Sequence, residues 1–195
     1  MAFVLAQDQD ADNLLTKSPL ALLIGMVLDQ QIPMEKAFRG PQLLLERLPG
    51  SNEGLDASQI ASMDPAKIEE IFAIKPAIHR FPSAMAKRVL ATCEVVARQY
   101  GGDASKIWRE AKDGADLFTR INALPGFGPD KTRIFIALLG KQVGLSQHGW
   151  REVSQPFGDE GTHMSVADIT DTASLSAVRE FKQEMKRLHK LGGTS

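Results

Sequence analysis

A chain of 195 residues, 43% hydrophobic and 24% charged, can bury a sizeable core in one unit or two small lobes. Its 23 basic and 24 acidic residues leave a formal charge of −1, which excludes a uniformly basic surface and confines any polyanion site to a local patch. The single cysteine, Cys93, excludes an internal disulfide and a thiolate-held iron–sulfur cluster.

Helix start signals recur along the chain and alternating strand patterns are nearly absent, so the expected class is all-α. Met1–Asp10 lacks a basic stretch followed by an apolar core, as a secretory signal would require. Ser18-Pro19 is a capping residue with proline at the first helical position, and it leads into the apolar run Leu20–Leu28. That run is too short to span a bilayer, so a cytoplasmic protein with no membrane segment is expected. A helix apolar on nearly every side belongs in the centre of a bundle. It ends on Asp29, Gln30 and Gln31 before Pro33. Two short helices are expected next, Pro33–Phe38 and Pro41–Leu48, broken at Arg39-Gly40-Pro41.

Asp64-Pro65 repeats the start signal, with Ile68, Ile71 and Phe72 spaced for one buried face. Lys75, His79, Arg80, Lys87 and Arg88 then gather around Phe81-Pro82, as a phosphate-binding patch or a solvated helix start. Pro82 opens a longer helix whose Met85, Val89, Cys93, Val96 and Tyr100 recur at helical spacing until Gly101-Gly102, which makes Cys93 a buried structural thiol. Helices over Asp103–Ala111 and Gly114–Leu124 follow, with Trp108 read as core. Pro129–Lys141 is helical again. From Val143 to Asp171 no pattern holds, and a long excursion with one short turn near Trp150 is expected. The last amphipathic helix, about Ala173–Leu191, carries Leu175, Val178, Phe181, Met185 and Leu188 as its apolar stripe. Its Lys182, Lys186, Arg187 and Lys190 read as a solvated face.

The segment Leu124-Pro125-Gly126-Phe127-Gly128-Pro129-Asp130-Lys131 joins two amphipathic helices through a turn with two glycines. The first turn of the second helix has free N–H groups, and with the helix dipole these favour an anion such as phosphate. Lys131 and Thr132 fall in that turn, where an ammonium and a hydroxyl add phosphate contacts. Leu124 and Phe127 are expected to anchor the hairpin in the core.

Leu-Pro-Gly-Phe-Gly-Pro, followed by Lys-Thr and an apolar helix ending at Gly140-Lys141, resembles the helix-hairpin-helix motif of the base-excision DNA glycosylases, the HhH-GPD superfamily. Leu22–Gln31 resembles that family's central helix, which ends in a glutamine facing the DNA, and the likeness covers roughly Pro19 to Lys141. The resemblance implies a single all-α unit over residues 1–195, two-lobed with a DNA cleft between the lobes. Residues 30–142 would form the helical lobe ending in the hairpin, while 1–29 and 143–195 pack as the other. Double-stranded DNA is the implied partner. Gly126, Phe127, Gly128, Lys131 and Thr132 would hold its backbone, Gln31 would fill the gap left by a flipped nucleotide, and Gln30 would contact a base. No cofactor is implied beyond a monovalent cation at the hairpin carbonyls. The sequence carries no mark of oligomeric state.

The chain departs from the family in its carboxylate. The family's essential aspartate lies a short distance beyond the hairpin; the same distance here falls near Gln147-His148-Gly149-Trp150. Glu152 is the nearest carboxylate, and Asp130 could approach from the hairpin, so these two stand as the candidate catalytic residues. The lysine that forms a Schiff base in some members is replaced by Asp130, with Lys131 one residue later. The expected activity is hydrolysis of the N-glycosidic bond of a damaged or mismatched base, without lyase activity. The alternative is a catalytically inactive DNA-binding or damage-recognition protein of the same fold.

Overall fold

The computed structural model describes residues 2–50 and 54–192. Among these, eleven α-helices follow one another with no strand. They are α1 (Gln9–Lys17), α2 (Pro19–Leu28), α3 (Met34–Arg47), α4 (Ala57–Ala61), α5 (Pro65–Ala73) and α6 (Pro82–Tyr100), then α7 (Lys106–Arg109), α8 (Gly114–Asn122), α9 (Pro129–Leu138), α10 (Trp150–Val153) and α11 (Thr172–Gly192). A π turn, Leu139–Val143, extends α9, and a 3₁₀ turn, Val166–Asp168, precedes α11.

The start signals in the sequence do what their chemistry requires. Ser18 Oγ accepts the Ala21 N–H with Pro19 in the first turn, and Asp64 accepts the Ala66 N–H ahead of Pro65. Asp8, Asp56 and Asp113 cap α1, α4 and α8 in the same way, each satisfying backbone N–H groups the helix itself cannot pair. Gly101, at φ +61°, ends α6 in the left-handed conformation that glycine adopts without penalty.

Every residue of α2 from Leu20 to Leu28 is buried, with α1, α3 and α6 packed around it. The buried apolar side chains form one continuous cluster, running in sequence from Phe3 to Val178.

One expectation is corrected. The break at Arg39-Gly40-Pro41 does not occur: α3 is one helix with Pro41 inside it. The reason is tertiary. A Cβ at Gly40 would collide with Leu28 Cδ1, so the bare glycine lets α3 lie directly on α2, and the buried Gly40, Pro41 and Leu44 hold the helix through the proline's lost hydrogen bond. The excursion after α9 carries its short turn at Trp150, as expected, and side-chain contacts hold it to the core. Lys141 Nζ lies 2.5 Å from Asp168 Oδ1 and 3.0 Å from Thr162 Oγ1, and the Asp168 side chain is only 3% exposed. Asp168 Oδ2 further accepts the Met164 and Ser165 N–H groups, and the Gln142 amide donates to the carbonyls of Ala167 and Ile169. Trp150 packs where a side chain on Gly140 would be, and Gly149 lies against Gly114.

Candidate nucleic-acid interface

The hairpin between α8 and α9 is anchored from below and open at its tip. Leu124 and Phe127 are buried, and the Phe127 ring lies 5.7 Å from Phe135, which meets Trp108 edge-on at 5.9 Å. Gly126 sits at φ +84°, and a Cβ built on it would meet Arg88 Cδ at 3.4 Å and Val27 Cγ1 at 3.9 Å, so the turn rests on α6 and α2. Gly128, by contrast, is extended at φ −108° with open space around it. It precedes a helix whose first turn has no side-chain cap, leaving N–H groups there for an outside acceptor.

Lys131 and Thr132 do not reach outward from that turn. The Lys131 ammonium crosses to the end of α2, where it donates to the carbonyls of Met26 at 2.9 Å and Val27 at 3.1 Å. A cation at those terminal carbonyls complements the negative end of the helix dipole. Burial pushes the Lys131 pKa down from 10.5 to about 8, with nearby Asp29 opposing the shift and Arg88 adding to it. Thr132 is fully buried, and its hydroxyl meets Asn122 Oδ1 at 3.3 Å, tying α9 to α8. Lys131 therefore builds the seam between hairpin and α2, and Thr132 the joint between α8 and α9.

The glutamine pair divides its labour. Gln30 is held at three points: its amide donates to the Val27 carbonyl at 2.8 Å, its Oε1 accepts from Arg88 at 2.6 Å, and its backbone carbonyl lies 3.0 Å from His79 Nε2. His79 Nδ1 accepts the Phe81 N–H at 3.0 Å, so the ring is the neutral tautomer with its proton on Nε2. Its burial lowers its pKa below 6.5, against the opposing hydrogen bond to Gln30. Gln31, fixed by this clamp, is exposed and stands at φ +56°, a left-handed conformation costing a non-glycine residue about 1–2 kcal/mol. Strain of this kind gathers where a side chain must be presented.

Beside Gln31 opens a cleft of about 480 Å³, within the range of small-molecule sites. Residues 29–35 form one wall; Ile169, Leu175 and Val178 form an apolar floor, with Arg179, Lys182 and Lys186 of α11 above it. Arg179 pairs with Glu35 across the gap. Two carboxylates line this cleft: Glu35, taken up by Arg179, and Asp29, which has no ion pair among the described residues and sits at the C-terminal end of α2. Burial pushes its pKa up, and the ammonium groups of Lys182 and Lys131 pull it back.

The two carboxylates expected from the sequence lie elsewhere. Asp130 is exposed at the start of α9 and pairs with Arg133 at 2.9 Å. Glu152 lines a separate hollow with Phe118 and Arg133 that shares no residue with the cleft. Asp29 was visible as a charge ending an apolar helix, but only the fold shows that a cation and a cleft meet there. Arg88 and His79 belonged to a basic cluster whose reach to Gln30 no spacing rule could give.

The hairpin carbonyls that a monovalent cation would use are in part engaged within the chain, each keeping a second lone pair. The Ile121 and Leu124 carbonyls already accept backbone N–H groups, and the Pro125 carbonyl faces the Thr92 hydroxyl at 3.5 Å. Among the described residues no group of three or more His, Cys, Asp or Glu side chains is placed to hold a metal ion. No single helix there is long and apolar enough to cross a membrane. Compared with models of known protein families, with characterised proteins and with solved structures, the chain matches none, so the reading of this cleft rests on its own residues.

Proposed function

We propose that the protein is a DNA N-glycosylase with a two-lobed helix-hairpin-helix architecture, acting on a damaged or mismatched base. The observation that carries this reading is one seam. The glycine hairpin, the end of α2 with Gln30 and Gln31, and the carboxylate-bearing cleft are joined through Lys131 and Arg88. The hairpin N–H groups hold backbone phosphate, and Gln31 enters the stack as the nucleotide leaves it. The extruded nucleotide enters the cleft, where Asp29 faces the sugar. As the glycosidic bond breaks, the electron pair leaves with the base and positive charge develops on the sugar. The Asp29 carboxylate stabilises that charge and takes a proton from the water that adds to C1′. The raised pKa suits a general base and makes excision climb with pH through the Asp29 ionisation.

The direct test is a panel of duplexes carrying alkylated, oxidised, deaminated or mismatched bases, followed by alkaline cleavage of abasic product. Release of one class by the wild type, lost in Asp29→Asn with duplex binding retained, is the expected result. Release that persists in Asp29→Asn removes Asp29 from the chemistry. The absence of any aspartate or glutamate over Gln147–Trp150 favours a second reading, a non-catalytic damage-recognition protein. It predicts binding to the same panel with no release from any member.

A further inference from the structure

The sequence reads the charges of α11 as a solvated face, but their placement is more specific than that. With about 100° per residue, Arg179, Lys182, Lys186 and Lys190 fall within an arc of roughly 80° and extend about 16 Å along the axis. The first three line the cleft, on the wall opposite Gln30 and Gln31. Arg179 is paired with Glu35, whereas Lys182, Lys186 and Lys190 make no ion pair among the described residues. The acidic residues of the same helix are kept apart: Glu184 pairs with Arg187 at 2.7 Å on another face, and Glu180 lies beside it on the helical wheel.

We infer that this row is the phosphate-gripping wall of the cleft, running along one strand of the nucleic acid beside the extruded nucleotide; this rests on the DNA reading above. Its length equals the rise of about five phosphates on one strand. Charge geometry favours a nucleic acid over an anionic membrane. The exposed apolar residues of α11, Met185 and Leu188, lie on the helical wheel more than about 90° from the centre of the lysine row. A membrane-lying helix presents apolar and basic groups to one plane; here Lys182 and Lys186 line the cleft, and of the row only Lys186 also borders the hollow of Met185 and Leu188.

The experiment is a salt titration of binding to a 20-base-pair duplex with a central abasic-site analogue, read by fluorescence anisotropy. It compares the wild type with K182Q/K186Q/K190Q, K182R/K186R/K190R and Arg187→Gln. Each phosphate contact contributes about 0.9 to the slope of log affinity against log salt, so the glutamine variant loses about 2 to 3 from its slope. The arginine variant and Arg187→Gln keep the wild-type slope. Circular dichroism of the glutamine variant, unchanged from wild type, separates lost contacts from lost fold. A wild type that binds with a steep slope the glutamine variant shares overturns the inference and leaves the glycosylase reading standing. A wild type that binds no duplex overturns both. Binding to vesicles rich in anionic lipid, lost in the glutamine variant while duplex binding is unaffected, assigns the row to a membrane and overturns it as well.

Discussion

On the α2 side of the cleft the cations are turned onto protein acceptors: Lys131 onto the last carbonyls of α2, and Arg88 onto the Gln30 amide. On the α11 side, Lys182, Lys186 and Lys190 form no close ion pair among the described residues, and only Lys182 acts on a cleft carboxylate, Asp29, from a distance. The first arrangement fixes geometry, because a charge satisfied internally holds its element in place and has little left to offer a ligand. The second leaves ammonium groups without a close partner, which costs some stability through self-repulsion but keeps them available to a polyanion. A wall that positions and a wall that attracts are what the proposed nucleic-acid cleft requires.

The sharpest way to break this contrast is to undermine the floor from which α11 departs. The 3₁₀ turn that leads through Ile169 into α11 is pinned by Lys141 on Asp168. Lys141→Met strands a carboxylate whose side chain is 3% exposed, and chemical denaturation should register a loss of about 3–5 kcal/mol. A variant as stable as the wild type shows that the pin is dispensable.

Lys131→Met attacks the positioning wall. It removes two charge-assisted hydrogen bonds from the end of α2 and should cost about 1.5–3 kcal/mol at pH 7 by the same measurement. The pH dependence gives it a signature. Because the folded pKa of Lys131 is about 8 against an ordinary 10.5, the unfolded chain binds more protons between those values. Stability from this group therefore rises as pH climbs through that window, and the gap between wild type and variant widens. Burial pushes the Cys93 thiol up to about 12, which lowers stability as pH rises above 9, but equally in both proteins, so it cancels in the difference. A gap that stays constant from pH 8 to 10.5 refutes the buried ammonium.

The smallest effect belongs to Gln31. Gln31→Gly relieves a left-handed backbone and should gain up to about 1 kcal/mol, after glycine's own entropic cost. On the proposed function it should also weaken binding to the abasic-site duplex, since the side chain assigned to fill the stack is gone. Tighter binding by the glycine variant would show that Gln31 obstructs the cleft rather than probing it.

Much of the fold was legible because its signals are local. Ser18 and Asp64 announce helices through hydrogen bonds to residues two or three places ahead, and the packing of α2 follows from its lack of a polar side. Continuity of α3 was not legible, since the contact of Gly40 with Leu28 outweighs a local breaker and joins residues far apart in sequence. The candidate site divides along the same line. The hairpin and glutamines show in sequence because turn and helix end are short-range features. The direction of Lys131, the clamp on Gln30 and the surroundings of Asp29 depend on contacts across scores of residues, and a carboxylate sought by its distance from the hairpin led to Glu152, on a different hollow.

Cys93, the one thiol in the chain, has a practical consequence. It is fully buried in the middle of α6, the helix that also carries Arg88 and packs on α2, α4 and α5. A thiol reagent must wait for the helices to part before it can react, so where reclosing outpaces the reaction, the rate of modification relative to a free thiol reports the free energy of that opening. The molecule thus carries a built-in clock for the motion of its own scaffold. Slowing of that clock when a duplex is added would measure how far the ligand tightens a core it never touches.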